Sequence, residues 1–441
     1  MPLEPATMTR LQERFDIAAK WALVGVFLSF PVALGLANTL SAVVVLCWLA
    51  AGHYRQRWQA IRHNPMVLPA LLLFGLILLG TLYSTGDMAH IRLHTLKYSK
   101  LLIALVFLSL LDQARWRRYC LGAFAAAMLF ILASVYASIW IRLPWISLRA
   151  NPAQALGWGV DHTVVGDYIT QNVMMSFFAV LCLTLCIASQ KNRWRGLWLA
   201  LAGLAVLSIT NLSQGRTGYF VLAACLLTFV LTAIPGRGRY ATLLLLATVL
   251  AAGLLSSRTM EARFQTAWVE IKNHNTDIHS SVGHRLYNYK TVLELIRERP
   301  VQGWGTGSYD HESCRMIVNP VECVEFGWHP HNQYLFFWLE NGLPGLLAYL
   351  FLISRLVSYG RAAAAPDRFL ILGLACALIA DSLTNSPLFS ARENHFFLFM
   401  MALLMAGPVL QGAGKLSARP CPSGWRRHSA APRSGKNIRA R

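Results

Sequence analysis

Residues 120–141 read CLGAFAAAMLFILASVYASIWI. No charge interrupts this run, and it is longer than the roughly 20 apolar residues a helix needs to cross a bilayer's hydrocarbon. Arg115, Arg117 and Arg118 stand just before it, a basic cluster of the kind that flanks cytoplasmic membrane ends. Comparable runs fall near 16–35, 37–52, 66–84, 98–111, 168–189, 197–213, 218–234, 241–257, 333–357, 369–388 and 395–410. Sheet strands are shorter, and the strands of a membrane barrel alternate in polarity instead. The pattern predicts an all-α, polytopic membrane bundle of about twelve spans.

Composition agrees. Of 441 residues, 55% are hydrophobic and 14% charged, against about 25% charged in ordinary soluble domains. A mean hydropathy of +0.44 excludes a cytosolic enzyme, a disordered regulator or a nucleic-acid module. The net charge of +20 is read first against the membrane, since nucleic acid is not the partner expected of so apolar a chain. Alternate connections carry Arg55, Arg57 and Arg62; Arg115, Arg117 and Arg118; Lys191, Arg193 and Arg195; Arg237 and Arg239; and Arg361 and Arg368. They share one side if both termini are cytoplasmic. No cleavable signal is evident at the N-terminus. Residues 411–441 hold eight Lys or Arg and no acid, a basic tail expected to be disordered and to meet anionic lipid.

The expected organisation is therefore spans one to nine over 1–257, an outer loop over 258–331, spans ten to twelve over 332–410, and the tail. The loop holds nine of the twenty acidic residues and eight Lys or Arg. Arg263–Asn273 and Leu286–Arg299 read as amphipathic helices, the second ending at Pro300, and Gly303, Gly305 and Gly307 mark an irregular segment. Long loops in compact architectures are usually functional, so a small helical lid over an outward-facing cavity is expected. Nine cysteines are too few for a disulfide scaffold, although Cys314 and Cys323 can pair in the loop.

No phosphate loop of the G-x-x-x-x-G-K-[ST] form, no D-x-D pair and no H-E-x-x-H occurs, which leaves no ATP-driven module, no signature for a metal-held nucleotide sugar and no zinc hydrolase. His90, His94 and Asp87 lie within helical reach of one another, either as metal ligands or as ordinary interfacial polar residues. Three segments carry more. Ser213-Gln214-Gly215-Arg216-Thr217-Gly218 joins two spans on the outer side, and an arginine fork at a helix junction suits phosphate oxygens. Gly283-His284-Arg285-Leu286-Tyr287 opens the loop helix. His329-Pro330-His331-Asn332-Gln333-Tyr334-Leu335 lies where the loop re-enters the membrane, followed by Glu340-Asn341-Gly342 and Gly345. An imidazole with a reference pKa near 6.5 can take a proton from a hydroxyl at neutral pH. Each residue alone also has a structural reading: a snorkelling arginine, surface decoration, an interfacial histidine. Together, two arginines and a histidine on one face can hold a diphosphate and deprotonate an acceptor.

His-Asn-x-x-Leu at the start of a span, Glu-Asn-Gly with a further Gly, the Gly-Arg-Thr-Gly turn and the Gly-His-Arg loop motif resemble the O-antigen ligase family, whose superfamily includes O-antigen polymerases and protein O-oligosaccharyltransferases. The resemblance covers nearly the whole chain. It implies periplasmic transfer of a glycan from undecaprenyl diphosphate to the lipid A–core of lipopolysaccharide, in a Gram-negative inner membrane, with inversion and without a nucleotide, metal or other cofactor. By position, Arg216 and Arg285 would grip the diphosphate and His331 would be the general base. Arg92 and Lys97 are further phosphate contacts or headgroup anchors; His329 and Asn332 adjoin the base. Asp381, an ionisable group inside an apolar span, is either functional or paired with an arginine to hold the bundle. Polymerase and protein-acceptor activities share the motifs, and a lipid-linked glycan transporter is the rival of another class.

Overall fold

The computed structural model describes residues 5–146, 154–244, 248, 265, 266, 268–270, 272, 279–317, 323 and 327–410. Among them no strand occurs and fifteen helices do. The first seven are α1 (Pro5–Ser29), α2 (Leu34–Ala51), α3 (Tyr54–Ile61), α4 (Val67–Gly80), α5 (Met88–Tyr98), α6 (Lys100–Leu110) and α7 (Ala114–Ala137). There follow α8 (Tyr168–Ala188), α9 (Asn192–Asn211), α10 (Arg216–Ala233), α11 (Ser281–Glu298), α12 (Tyr309–Met316), α13 (Gln333–Ala362), α14 (Asp367–Thr384) and α15 (Ala391–Met405).

Eleven of the twelve apolar runs fall on helices. They are α1, α2, α4, α7 to α10, α13 to α15, and α6, which abuts α5 at Ser99 to form one segment, Met88–Leu110. The remaining run, 241–257, the helix expected over 263–273 and the tail lie largely or wholly outside the described residues. Six segments (α2, α5 with α6, α7, α8, α10 and α13) are long and apolar enough to cross a membrane. The chain is a multi-pass membrane protein. Its surface agrees: Leu46, Leu68 and Leu199 are each more than half exposed on apolar helices, tolerable where the solvent is lipid. Aromatic rings fill the interior, with Phe124 within 6.0 Å of Phe30, Phe177 and Phe396 by ring centres.

Charge sorts to opposite ends. At one, Asp16 meets Lys20 at 2.9 Å and Arg57 at 2.7 Å, and Arg117 donates to the carbonyls of Leu111 and Pro408. The other end holds the capped helix starts: Asp87, Asp167, Ser280 and Asn332 each accept a backbone N–H two or three residues into α5, α8, α11 and α13. These caps satisfy N–H groups that would otherwise be orphaned.

α13 is broken at Gly342 (φ 64°, ψ −167°) and carries Pro344 in the next turn. The loop 300–307 docks into the break, backbone to backbone. Trp304 N donates to Leu339 O (2.9 Å), Gly305 N to Glu340 O (2.8 Å) and Leu343 N to Pro300 O (3.1 Å). The fully buried Glu340 carboxylate accepts from Gly307 N at 2.9 Å and lies 2.9 Å from His94 Nδ1. Asn341 donates to Thr306 Oγ1, and a side chain at Gly305 would collide with Ser84 of the α4–α5 connection. The glycine-rich loop and the Glu-Asn-Gly segment are thus two halves of one lock.

Candidate active site

α10 begins at Arg216 and α11 at Ser281, and their N-termini meet that of α8 around a cavity of about 60 Å³ lined by Tyr168, Gln214, Arg216, Thr217, Ser281 and Arg285. Three helix N-termini supply positive dipole ends, a setting that favours an anion. Arg216 Nη2 reaches Glu270 Oε2 at 2.8 Å, and the same oxygen accepts from Val282 N at 3.1 Å. Arg216 Nη1 and Arg285 Nε are shielded from solvent and have no hydrogen-bond partner among the described residues. Arg285 Nη2 lies 3.5 Å from Thr217 Oγ1. Burial lowers the Arg285 pKa and the like charge of Arg216 adds to this, while Tyr289, Tyr168 and Asp381 act the other way. Two arginines that line the cavity thus each keep a guanidinium nitrogen without a hydrogen-bond partner among the described residues.

The histidine segment closes one flank. His284, beside Arg285 on α11, sets its ring 5.4 Å from that of His331, edge to face, and the His329 ring lies 4.2 Å from His331. His331 adopts the left-handed region at φ 54°, a conformation that residues other than glycine hold only when their surroundings fix it. Two contacts do so. His331 N donates to His329 Nδ1 at 3.1 Å, which places the His329 proton on Nε2, and Tyr289 Oη lies 2.9 Å from the His331 carbonyl and 2.8 Å from that of Leu383. Asn332 caps α13 with its carboxamide oxygen and reaches Leu383 O with its nitrogen. It acts as a hinge pin for the His331 backbone.

Burial, the His329 ring, Arg285 and His284 together hold His331 far below the usual imidazole range. Burial first, then Lys97, His284 and Arg285, push His329 down to about 3. Both rings are neutral at physiological pH. The His331 Nδ1 atom is enclosed and has no hydrogen-bond partner among the described residues.

The segments read from sequence as Arg216, Arg285, His329, His331 and Asn332 thus converge. Lys97 joins them through aromatic rings, its Nζ 3.3 Å from the centre of Phe389 and 4.4 Å from that of Trp328. Arg92 does not: it is exposed on α5, five residues and about 140° around the helix from Lys97. Asp381 is fully buried, with neither carboxylate oxygen hydrogen-bonded among the described residues, and it interacts electrostatically with Arg285 and Asp167. His90 and His94 diverge, the first to Asp87 (3.0 Å) and the second, buried, to Glu340. Among the described residues no group of three His, Cys, Asp or Glu is placed to hold a metal ion. Sequence reasoning missed Tyr168, Tyr289, Trp328 and Glu270. Tyr289 lies one helical turn beyond Arg285 and Trp328 adjoins His329, so neighbourhood was a usable signal for both; Tyr168 and Glu270 offered none.

Residues 201–350, the stretch containing Arg216, Arg285, His329 and His331, match the family model described as O-Antigen ligase. An uncharacterized protein of Haemophilus influenzae is 23% identical over 209 residues, or 43% of this chain and 51% of that protein. The chain spans about half the length of this curated relative.

Proposed function

From a chain whose residues 201–350 match the O-antigen ligase family model, we propose a glycosyltransferase that moves O-antigen polysaccharide from undecaprenyl diphosphate to the lipid A–core of lipopolysaccharide. The observation that carries the reading is the convergence of two arginines with unpaired nitrogens on an enclosed, neutral His331. Arg216 and Arg285 bind the donor diphosphate, with the helix N-termini behind them. His331 Nδ1 takes the proton of the acceptor hydroxyl. That oxygen attacks the anomeric carbon from the face opposite the diphosphate, the bond to the diphosphate oxygen breaks, and its electron pair leaves on the diphosphate. The configuration inverts in one displacement, and the leaving group departs already ionised, with the arginines offsetting its charge.

Donor binding also prepares the base. In the free site the positive charge of Arg285 disfavours the imidazolium. A bound diphosphate reverses that local potential and raises the proton affinity of His331, so the ring becomes an effective base once the donor is seated. Two features favour a periplasmic site. The basic connections at 55–62 and 112–118 lie at the end of the bundle opposite the histidines, and Cys314 and Cys323 are joined in a disulfide beside them, a bond that persists in oxidising compartments.

The test is transfer by purified protein from undecaprenyl-diphosphate glycan to lipid A–core, with wild type beside His331→Ala. A general base contributes about 10²- to 10⁴-fold, and the variant is expected to lose at least that much while eluting as a folded protein. Undiminished transfer by His331→Ala removes the base assignment. Product with a second lipid-linked glycan alone, or with a protein alone, reassigns the acceptor; unchanged donor with every acceptor points to transport.

A further inference from the structure

His331 has two ring neighbours. One is His284, next to Arg285, which lines the anion cavity with Arg216. The other is His329, and beyond it lie Phe389, Trp328 and Lys97: the His329 and Phe389 rings lie 6.0 Å apart, and Trp328 meets Phe389 edge to face at 5.6 Å. Phe389 is buried, whereas Trp328 is 57% exposed at the lip of the site, immediately before His329 in the chain. The Lys97 ammonium is held over both rings and forms no ion pair among the described residues. An ammonium set on aromatic faces without a counter-charge is stabilised by the rings and remains open to an anion. An exposed indole beside it offers a flat apolar surface of the size of one pyranose ring. With the donor diphosphate on the arginines, the indole and ammonium reached from His331 through the His329 and Phe389 rings are a separate platform, and that platform suits an acceptor sugar bearing a negative group.

We propose that Trp328 and Lys97 form the acceptor subsite, with the indole stacking on the acceptor sugar and the ammonium pairing with a phosphate or carboxylate carried by that sugar or its neighbour. This rests on the glycosyl-transfer reading above and adds to it the chemical class of the acceptor and the residues that receive it. The donor anion meets Arg216 and Arg285 and the acceptor anion meets Lys97, so the two are held by different cations.

The experiment uses the full chain in nanodiscs, with Trp328→Ala, Trp328→Phe and Lys97→Met, the last preserving the apolar stem. Acceptor KM is expected to rise about tenfold in Trp328→Ala and Lys97→Met and less in Trp328→Phe, with donor KM within about twofold of wild type. Acceptor stripped of its sugar phosphates, and acceptor whose sugar carboxylates are reduced to alcohols, identify the anion. One of them should match the Lys97→Met defect in wild type and add nothing further in Lys97→Met itself. Unchanged acceptor KM in both Trp328→Ala and Lys97→Met, an equal rise in donor KM, or indifference to both modified acceptors overturns the proposal. Should wild type transfer to no acceptor, the transfer reading falls separately and the subsite is decided by equilibrium binding of phosphorylated core oligosaccharide. Binding by wild type that is weakened about tenfold in both variants sustains the subsite; no binding, or equal binding, overturns it.

Discussion

Gly342→Ala should unfold the end of the bundle that holds the histidines. The backbone there (φ 64°, ψ −167°) lies in a region essentially reserved for glycine, at a cost of about 2 kcal/mol for any other residue. The added methyl would overlap the Val301 carbonyl oxygen and stand 2.6 Å from the Gln302 carbonyl carbon. Both are backbone atoms, so relief requires moving the loop 300–307. That loop is held by Leu343 N to Pro300 O, Trp304 N to Leu339 O, Gly305 N to Glu340 O and Gly307 N to the Glu340 carboxylate. At about 1 kcal/mol for each of the four bonds, the cost reaches about 6 kcal/mol, beyond the ordinary range for a single substitution. Fluorescence-detected size exclusion and thermal melting in detergent provide the assay, with Gly75→Ala as control. Gly75 lies on α4 with nothing within 4 Å of an added methyl, and alanine there should stabilise the helix by up to about 1 kcal/mol. Gly342→Ala is expected to aggregate or to melt far below wild type. If it elutes and melts with Gly75→Ala, the backbone lock between loop 300–307 and α13 is not what holds this end together.

Other expectations concern chemistry and sidedness. Because burial and neighbouring charge depress His329 and His331 below the imidazole range, acidification should not protonate the free site: kcat/KM for the donor should stay flat from pH 8 to 5, where a base of pKa 6.5 would lose ~30-fold, and a sharp fall below pH 6.5 would contradict the assigned environment. Since a bound diphosphate raises the His331 pKa, kcat at saturating donor should instead decline at a higher pH than kcat/KM does; coincident profiles would argue against donor-assisted basicity. Arg216→Lys keeps the charge but loses the fork, and donor KM is expected to rise about tenfold, whereas an unaltered donor KM would refute two-point gripping. A single cysteine at position 328 should react with a membrane-impermeant maleimide added to intact cells and one at 115 should not; the reverse pattern would invert the orientation.

The helices themselves were legible in the amino-acid sequence. Runs such as 120–141 and 168–189 have no other stable solution than a helix once water is absent, because every backbone polar group must then be satisfied within its own segment. Arg216 and His331 drew attention for a related reason, since polar groups at the ends of apolar spans stand out against their background, whereas Arg285, in the outer loop, was singled out only by the likeness of its Gly-His-Arg motif. The partners of those residues were not. Tyr289 steadies His331 through a carbonyl 42 positions away, Lys97 reaches Trp328 across more than 200 residues, and Glu340 serves as acceptor for a glycine loop docked on its own helix. Such contacts depend on which faces of distant helices meet, and within lipid that choice rests on close packing and hydrogen-bond geometry rather than on hydrophobic pattern. The sequence therefore determined that this chain crosses the membrane many times and which polar residues stay at one end. Only tertiary structure decided that Glu-Asn-Gly is a backbone lock, that Arg92 stands apart while Lys97 joins the site, and that the His331 ring is enclosed against that of His284, because each depends on the distance between groups far apart in the chain.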